Sequence, residues 1–386
     1  MSFAPPPRLL LGSGPSPVPQ RVLDALAQPT VGHLDPFFVE LMEETAELLR
    51  ATFRTENPAT LPVSATGSGG MDALIANFVE PGDRAVVGVN GLFGERLTDA
   101  LQRANADVAR VEAEWGRTID LDELRSAIGP DTDVVCVVHG ETSTGVCQPL
   151  DGLSDACRDA GALLLVDCVT SLSGQPVLLD EWGVDAAFSG SQKCLNAPPG
   201  LAPFTAGERA LDKLRRRKTP PRSWFFDLSL VLGYWDGEGG RVYHHTAPIN
   251  MIYGLTEALR IVQEEGLEQR WERHRRAHEA LRGALSQLDL ERIAPDGEEL
   301  WPLLAVKLPE GVDDAGVRGA LLADHGIEIA GSLGPFAGKA WRIGVMGEGA
   351  RPEPQERLVG ALAELMKRDS KPALDALAEG WAATPA

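Results

Sequence analysis

The chain has 386 residues, and 36 Lys+Arg against 56 Asp+Glu give a formal net charge of −20. It is 44% hydrophobic and 24% charged, which excludes global disorder and predicts a sizeable core. The acidic excess argues against nucleic acid and anionic lipid as partners, and no apolar run reaches the roughly 20 residues of a membrane span.

In chain order, Met1–Arg8 carries prolines where a secretory signal would have its apolar run, so no leader is expected. Pro62-Val-Ser-Ala-Thr-Gly-Ser-Gly-Gly-Met-Asp72 is a small-residue turn feeding a helical stretch at Ala73–Val79. Short apolar runs follow at Ala85–Val89, Val134–Val138, Ala162–Val166 and Ala186–Phe188. They lack polar alternation, as strands buried on both faces do. Helical spacing at Leu97–Arg103 and Leu153–Arg158 separates them. Strand and helix in that rhythm predict a mostly parallel α/β sheet.

Beyond residue 250 the pattern changes. Met251–Gln287 reads as one long helix interrupted near Glu265-Gly266. Strand candidates at Leu303–Lys307, Ile327–Ile329 and Trp341–Val345 then alternate with helical stretches at Asp314–Ala323 and Pro354–Lys367. The expected organisation is a large domain over 1–250, a linking helix over 251–290, a smaller α+β domain over 291–370 and an unassigned extension over 371–386. The five cysteines include no CxxC pair, which favours reduced, buried thiols and a cytoplasmic protein over a zinc or disulfide scaffold.

The chemistry concentrates at two strand ends. Lys193 lies in Phe188-Ser-Gly-Ser-Gln-Lys-Cys-Leu-Asn-Ala-Pro-Pro-Gly200, where small and apolar neighbours would desolvate it. Desolvation favours the neutral amine, the nucleophile that Schiff-base chemistry needs. Asp167 ends the apolar run Ala162–Val166, at the carboxyl edge where open α/β sheets bind ligands. It needs a cation there, and a protonated pyridine nitrogen would serve. The glycines of Thr66-Gly-Ser-Gly-Gly70 can offer N–H groups to an anion, although they form neither a dinucleotide fingerprint nor a P-loop. Arg342 stands between apolar strand residues and requires a carboxylate, from substrate or from the protein itself. His244-His245 read as neighbours on opposite faces of a strand, a poor metal pair, and no metal site is expected.

Together these stretches resemble the class V, fold-type I family of pyridoxal-phosphate aminotransferases. The nearest likeness is to the alanine–glyoxylate and serine–glyoxylate (serine–pyruvate) enzymes. Further matching segments are Gly14-Pro15, Gly32-His33, Asn90-Gly91 with Gly94, His139-Gly-Glu-Thr-Ser-Thr-Gly-Val146, Tyr243-His-His-Thr246 and Arg342-Ile-Gly344. The resemblance implies pyridoxal 5'-phosphate held covalently by Lys193, with Asp167 on its ring nitrogen. It further implies Ser68, Gly69, Gly70 and Gln192 on the phosphate, Phe93 stacked on the ring face, and Thr142 beside the ring. Tyr243 and Thr246 would reach the phosphate from a partner subunit, making a homodimer, and Arg342 would grip the substrate carboxylate. Phe93, Gly70 and Thr142 depart from the commoner Trp, His and Ser of the animal enzymes.

The implied activity is transfer of an amino group from alanine or serine to glyoxylate or another small 2-oxo acid by a ping-pong mechanism. A ureidoglycine- or aminophosphonate-type transaminase is the alternative within the family. A cysteine desulfurase or lyase is disfavoured, because that chemistry wants a nucleophilic cysteine late in the chain and none follows Cys194.

Overall fold

The computed structural model of the protein describes residues 4–235 and 241–383, so Met1–Phe3 of the proline-rich start and the last three residues of the expected extension lie outside the described residues. Its centre is a seven-stranded sheet in the order Ala59–Val63, Ala202–Ala206, Ala186–Phe188, Leu163–Asp167, Val134–Val138, Arg84–Val89 and Asp107–Glu112. Only Ala202–Ala206 runs against its neighbours; the remaining pairings are parallel. Val134–Val138 and Leu163–Asp167 are buried at every residue, which is why their sequences show no polar alternation. The fold is the mostly parallel α/β architecture expected from those runs.

Three strands of this sheet escape the sequence pattern. Ala59–Val63 and Ala202–Ala206 each contain a proline, and Pro62 and Pro203 are register partners. Proline demotes a strand reading, but here the two strands meet near the sheet's end, where few ladder bonds are lost. Asp107–Glu112 is the opposite edge, and its mixture of exposed and half-buried residues hides its strand character.

A second, four-stranded antiparallel sheet orders Glu291–Arg292, Leu303–Lys307, Ala340–Gly344 and Ala330–Gly331. Its core includes Leu304, Trp341, Ile343 and, from the far end of the chain, Leu11. The N-terminal strand Leu9–Leu10 pairs in parallel with Ile327–Glu328, and Gly344 N–H donates to Leu11 O at 2.8 Å. The start of the chain is therefore stitched to the C-terminal layer before it enters the large sheet. We propose the four-part division read from sequence as the organisation of the chain, with residues 9–17 as a strap between its layers.

Two helices, Ile249–Glu265 and Leu267–Ser286, connect the layers, broken at Gly266 with φ +83°. The region left unassigned after residue 370 forms the helix Ser370–Ala382. It lies so close to Leu267–Ser286 that a Cβ on Gly380 would sit 2.6 Å from Ala280 Cα. Among the described residues no helix is long and apolar enough to cross a membrane.

Candidate active site

At the carboxyl ends of the parallel strands a cavity of about 300 Å³ is lined by Ser68, Phe93, Asp167, Gln192, Lys193 and Arg342, together with Ser13, Gly14 and Arg96. Six of the residues singled out from sequence thus meet in one place, although they span positions 68 to 342.

Asp167 closes the strand Leu163–Asp167 and is 6% exposed. Its Oδ1 accepts Val169 N–H at 2.8 Å, and Oδ2 has no protein donor among the described residues. Burial is the main influence on this carboxyl and pushes it up to about 7. A cation brought into the cavity would restore its charge.

Lys193 is 8% exposed, in the turn after the strand Ala186–Phe188. Burial, aided by Arg342, lowers its amine to about 8 despite the opposing influences of Cys194 and Asp167. Its Nζ donates to Ser13 O, a link to the N-terminal strap. Sequence reasoning missed this partner because a backbone carbonyl leaves no residue-type signal.

Arg342 comes from the other sheet, on the strand Ala340–Gly344. It is 8% exposed, its Nε donates to Gly331 O at 3.0 Å, and no carboxylate lies within ion-pair distance among the described residues. The internal salt bridge left open by the sequence is absent, and the guanidinium keeps donors for a ligand.

The phosphate-cradle glycines stand differently from expectation. The helix begins at Gly67 rather than Ala73 and runs to Phe78, so the glycines form its first turn. Thr66, at the cap, makes no side-chain bond, leaving the N–H groups of Gly67, Ser68 and Gly69 available. A Cβ on Gly69 would fall 2.4 Å from Ala65 Cβ, so only glycine fits that tight turn. Gly70 does not suit the phosphate role: its N–H donates to Thr66 O at 3.1 Å, and its Cβ position faces Ala202 and Phe188. The proposed cradle shifts one residue back.

Phe93 is held by a residue that the sequence reading did not single out. Glu141, fully buried, accepts from the N–H groups of Phe93 at 2.9 Å and of Ser143 at 2.9 Å, and from Ser143 Oγ at 2.6 Å. It sits at the N-terminus of the helix Leu92–Arg103, where a carboxylate is favoured. Arg96, one turn on, places its guanidinium 4.8 Å from the Phe93 ring centre.

Thr142, Tyr243 and Thr246 do not line this cavity. Thr142 is buried, with its hydroxyl 2.5 Å from that of Thr170. Tyr243 is 56% exposed, its hydroxyl 3.3 Å from Thr246 Oγ1. The strand expected around His244-His245 is absent; the rings meet instead, Nδ1 to Nδ1 at 2.8 Å, and His245 Nε2 lies 2.7 Å from Ser64 Oγ. Side chains alternate between opposite faces in a strand, and this segment is a loop.

Pyridoxal phosphate suits this arrangement on four observations. Asp167 has no ion-pair partner within bonding distance among the described residues, and the amine of Lys193 is shifted toward its neutral form. The helix start Gly67-Ser68-Gly69 leaves its first N–H groups without a side-chain cap. Gln192 lines the cavity with a carboxamide that makes no side-chain hydrogen bond among the described residues, so its Nε2 can turn to donate to a phosphate.

Comparison with known proteins agrees. The family model "Aminotransferase class-V" matches residues 8–337. The (S)-ureidoglycine–glyoxylate transaminase of Bacillus subtilis is 40% identical, over 90% of this chain and 88% of that protein. The alanine–glyoxylate aminotransferase of Felis catus is 38% identical, over 95% and 89%. The crystal structure of an alanine–glyoxylate aminotransferase from Nostoc sp. superposes with a TM-score of 0.93 at 47% identity, covering 95% of this chain and 97% of that one.

Proposed function

The chain belongs to the class V aminotransferase family and is a pyridoxal-phosphate enzyme, and from that premise we propose that it moves the amino group of a small amino acid, alanine or serine, to glyoxylate or another small 2-oxo acid. The observation that carries this reading is the convergence of Lys193, Asp167 and Arg342 on one cavity of about 300 Å³.

When bound, pyridoxal phosphate supplies an electron sink for the pair released as an amino acid loses its Cα proton. Lys193 would hold the cofactor and then, as a neutral amine, take and return that proton. Asp167 would sit against the ring nitrogen and keep it protonated. Gly67, Ser68 and Gly69 would direct N–H groups to the phosphate with Gln192, and Phe93 would pack on the ring. Arg342 would bind the substrate carboxylate through its terminal nitrogens and so orient the Cα–H bond.

Glyoxylate as acceptor is supported by its place in the names of all three relatives described above. Ureidoglycine as donor is the second reading, favoured by the 40% identity to the Bacillus subtilis transaminase. The deciding experiment incubates the holoenzyme and glyoxylate with alanine, serine or ureidoglycine and follows glycine formation and the matching oxo acid. Pyruvate or hydroxypyruvate as the favoured product supports the first reading. Preference for ureidoglycine supports the second, and no glycine from any donor refutes glyoxylate as the acceptor in both.

We also propose a homodimer, in which Tyr243 and Thr246 complete the neighbour's phosphate site. Their exposure and absence from their own cavity support that role. Dilution giving fully active monomers would contradict it. A cytoplasmic location is supported by five free cysteines and by the lack of a membrane-crossing helix among the described residues.

A further inference from the structure

We infer that Asn196 and Arg270 are positioning residues for Lys193, joining the lysine turn to the N-terminal strap and to the loop that follows the strand of Arg342. The inference rests on the proposed role of Lys193 in proton transfer.

Asn196 is 2% exposed and stands in the left-handed region at φ +58°, which Asn tolerates better than most residues. Its Oδ1 accepts Arg270 Nη2 at 2.9 Å, while its Nδ2 donates to Ser16 Oγ and to Pro17 O, both at 2.9 Å. Ser16 Oγ donates to Lys193 O at 2.6 Å, and Asn196 N–H donates to the same carbonyl at 3.1 Å. Arg270 Nη2 also donates to Cys194 O at 2.5 Å, and its Nη1 pairs with Glu265 at 2.6 Å. Both carbonyls that border the Lys193–Cys194 junction are thereby clamped.

The same helix start holds the substrate side. Gly347 N–H donates to His274 Nε2 at 2.8 Å, and Arg273 Nη1 donates to Gly347 O at 2.6 Å. A Cβ on Gly347 would lie 1.4 Å from Asn196 Oδ1, so this loop rests directly on the asparagine. Lys193 and Arg342 therefore sit at the two ends of one bracket whose middle is the helix Leu267–Ser286. Neither Asn196 nor Arg270 lines the cavity, so they act through the lysine rather than on substrate. A buried guanidinium with one carboxylate partner is a costly way to gain stability, and fixing a unique geometry gives it a purpose.

The test uses Asn196→Gly, which keeps the left-handed backbone and deletes the side chain, and Ser16→Ala, which removes the link to Lys193 O and one acceptor of Asn196 Nδ2. In Asn196→Gly, kcat per bound cofactor is expected to fall at least about tenfold while KM stays within roughly threefold. Ser16→Ala should show a smaller loss, and the double variant should lose less than the two combined. A second readout needs no turnover: acetic anhydride labelling of Lys193 across pH in cofactor-free protein, read by peptide mass, should place the amine pKa higher in both variants, as the loosened turn admits water. A kcat per bound cofactor within about twofold of wild type, with an unchanged labelling profile, overturns the inference. So does a loss that merely tracks the amount of folded protein; if Asn196→Gly does not fold, Ser16→Ala decides by the same criteria. A wild-type protein that transaminates no donor would sink the functional reading instead, while the labelling profile would still judge the bracket.

Discussion

Gly14 presses on Lys193 so closely that a Cβ built on it would fall 2.8 Å from Lys193 Cδ and 2.9 Å from Nζ. Its φ of +100° is also one that side-chain-bearing residues rarely adopt. Gly14→Ala must therefore either push the strap outward or turn the lysine away. We predict a loss of at least about tenfold in kcat and slower recombination with cofactor, measured by steady-state kinetics and absorbance.

Lys193→Ala should abolish turnover. Borohydride reduction of the wild-type holoenzyme should leave cofactor mass on the peptide containing Lys193, and the variant should show none. Retained turnover or labelling elsewhere would refute the assignment.

Asp167→Asn separates stability from catalysis. The carboxyl of Asp167 is raised from 3.8 to about 7 in the fold, so the stability it contributes is complete below pH 3.8 and is lost as pH rises through 7. Cofactor-free Asp167→Asn should thus gain on wild type between pH 5 and 8, by on the order of 2–3 kcal/mol in urea unfolding. With cofactor bound the advantage should shrink or reverse, and kcat should fall by about a hundredfold or more, because a neutral amide cannot keep the ring nitrogen protonated.

Arg342→Lys tests the carboxylate grip. A guanidinium offers two parallel donors where an ammonium offers one point charge. We expect KM for donor and acceptor to rise about 10- to 100-fold with a smaller change in kcat, and Arg342→Ala to be worse.

Glu141→Ala leaves the N–H groups of Phe93 and Ser143 without their acceptor inside the protein. The expected cost is about 2–4 kcal/mol, visible as a lowered Tm, with weaker cofactor binding as Phe93 loosens.

Much of the large sheet was legible because its central strands are unbroken apolar runs, and an Asp or Lys just past such a run stands out. The prolines of Ala59–Val63 and Ala202–Ala206 hid two strands, since proline is a breaker unless its ladder bond is dispensable. The helix Ser370–Ala382 stayed unassigned because its Ala-rich sequence carries no strong stripe, and its stability comes from close packing at Gly380 and Ala280. Ser13 and Glu141 went unnoticed for related reasons: one acts through a carbonyl, the other through the backbone N–H of Phe93, distant in the chain.

Local order along the chain was enough to nominate the amine, the acid and the guanidinium, because residue type and strand position are local properties. Whether they share a cavity was decided only by folding, which brings the strap at residues 9–17 and the strand of Arg342 against the lysine turn through contacts between segments far apart in the chain. Such contacts depend on how two sheets and a broken helix pack, and no local pattern encodes the distance between side chains that packing alone brings together.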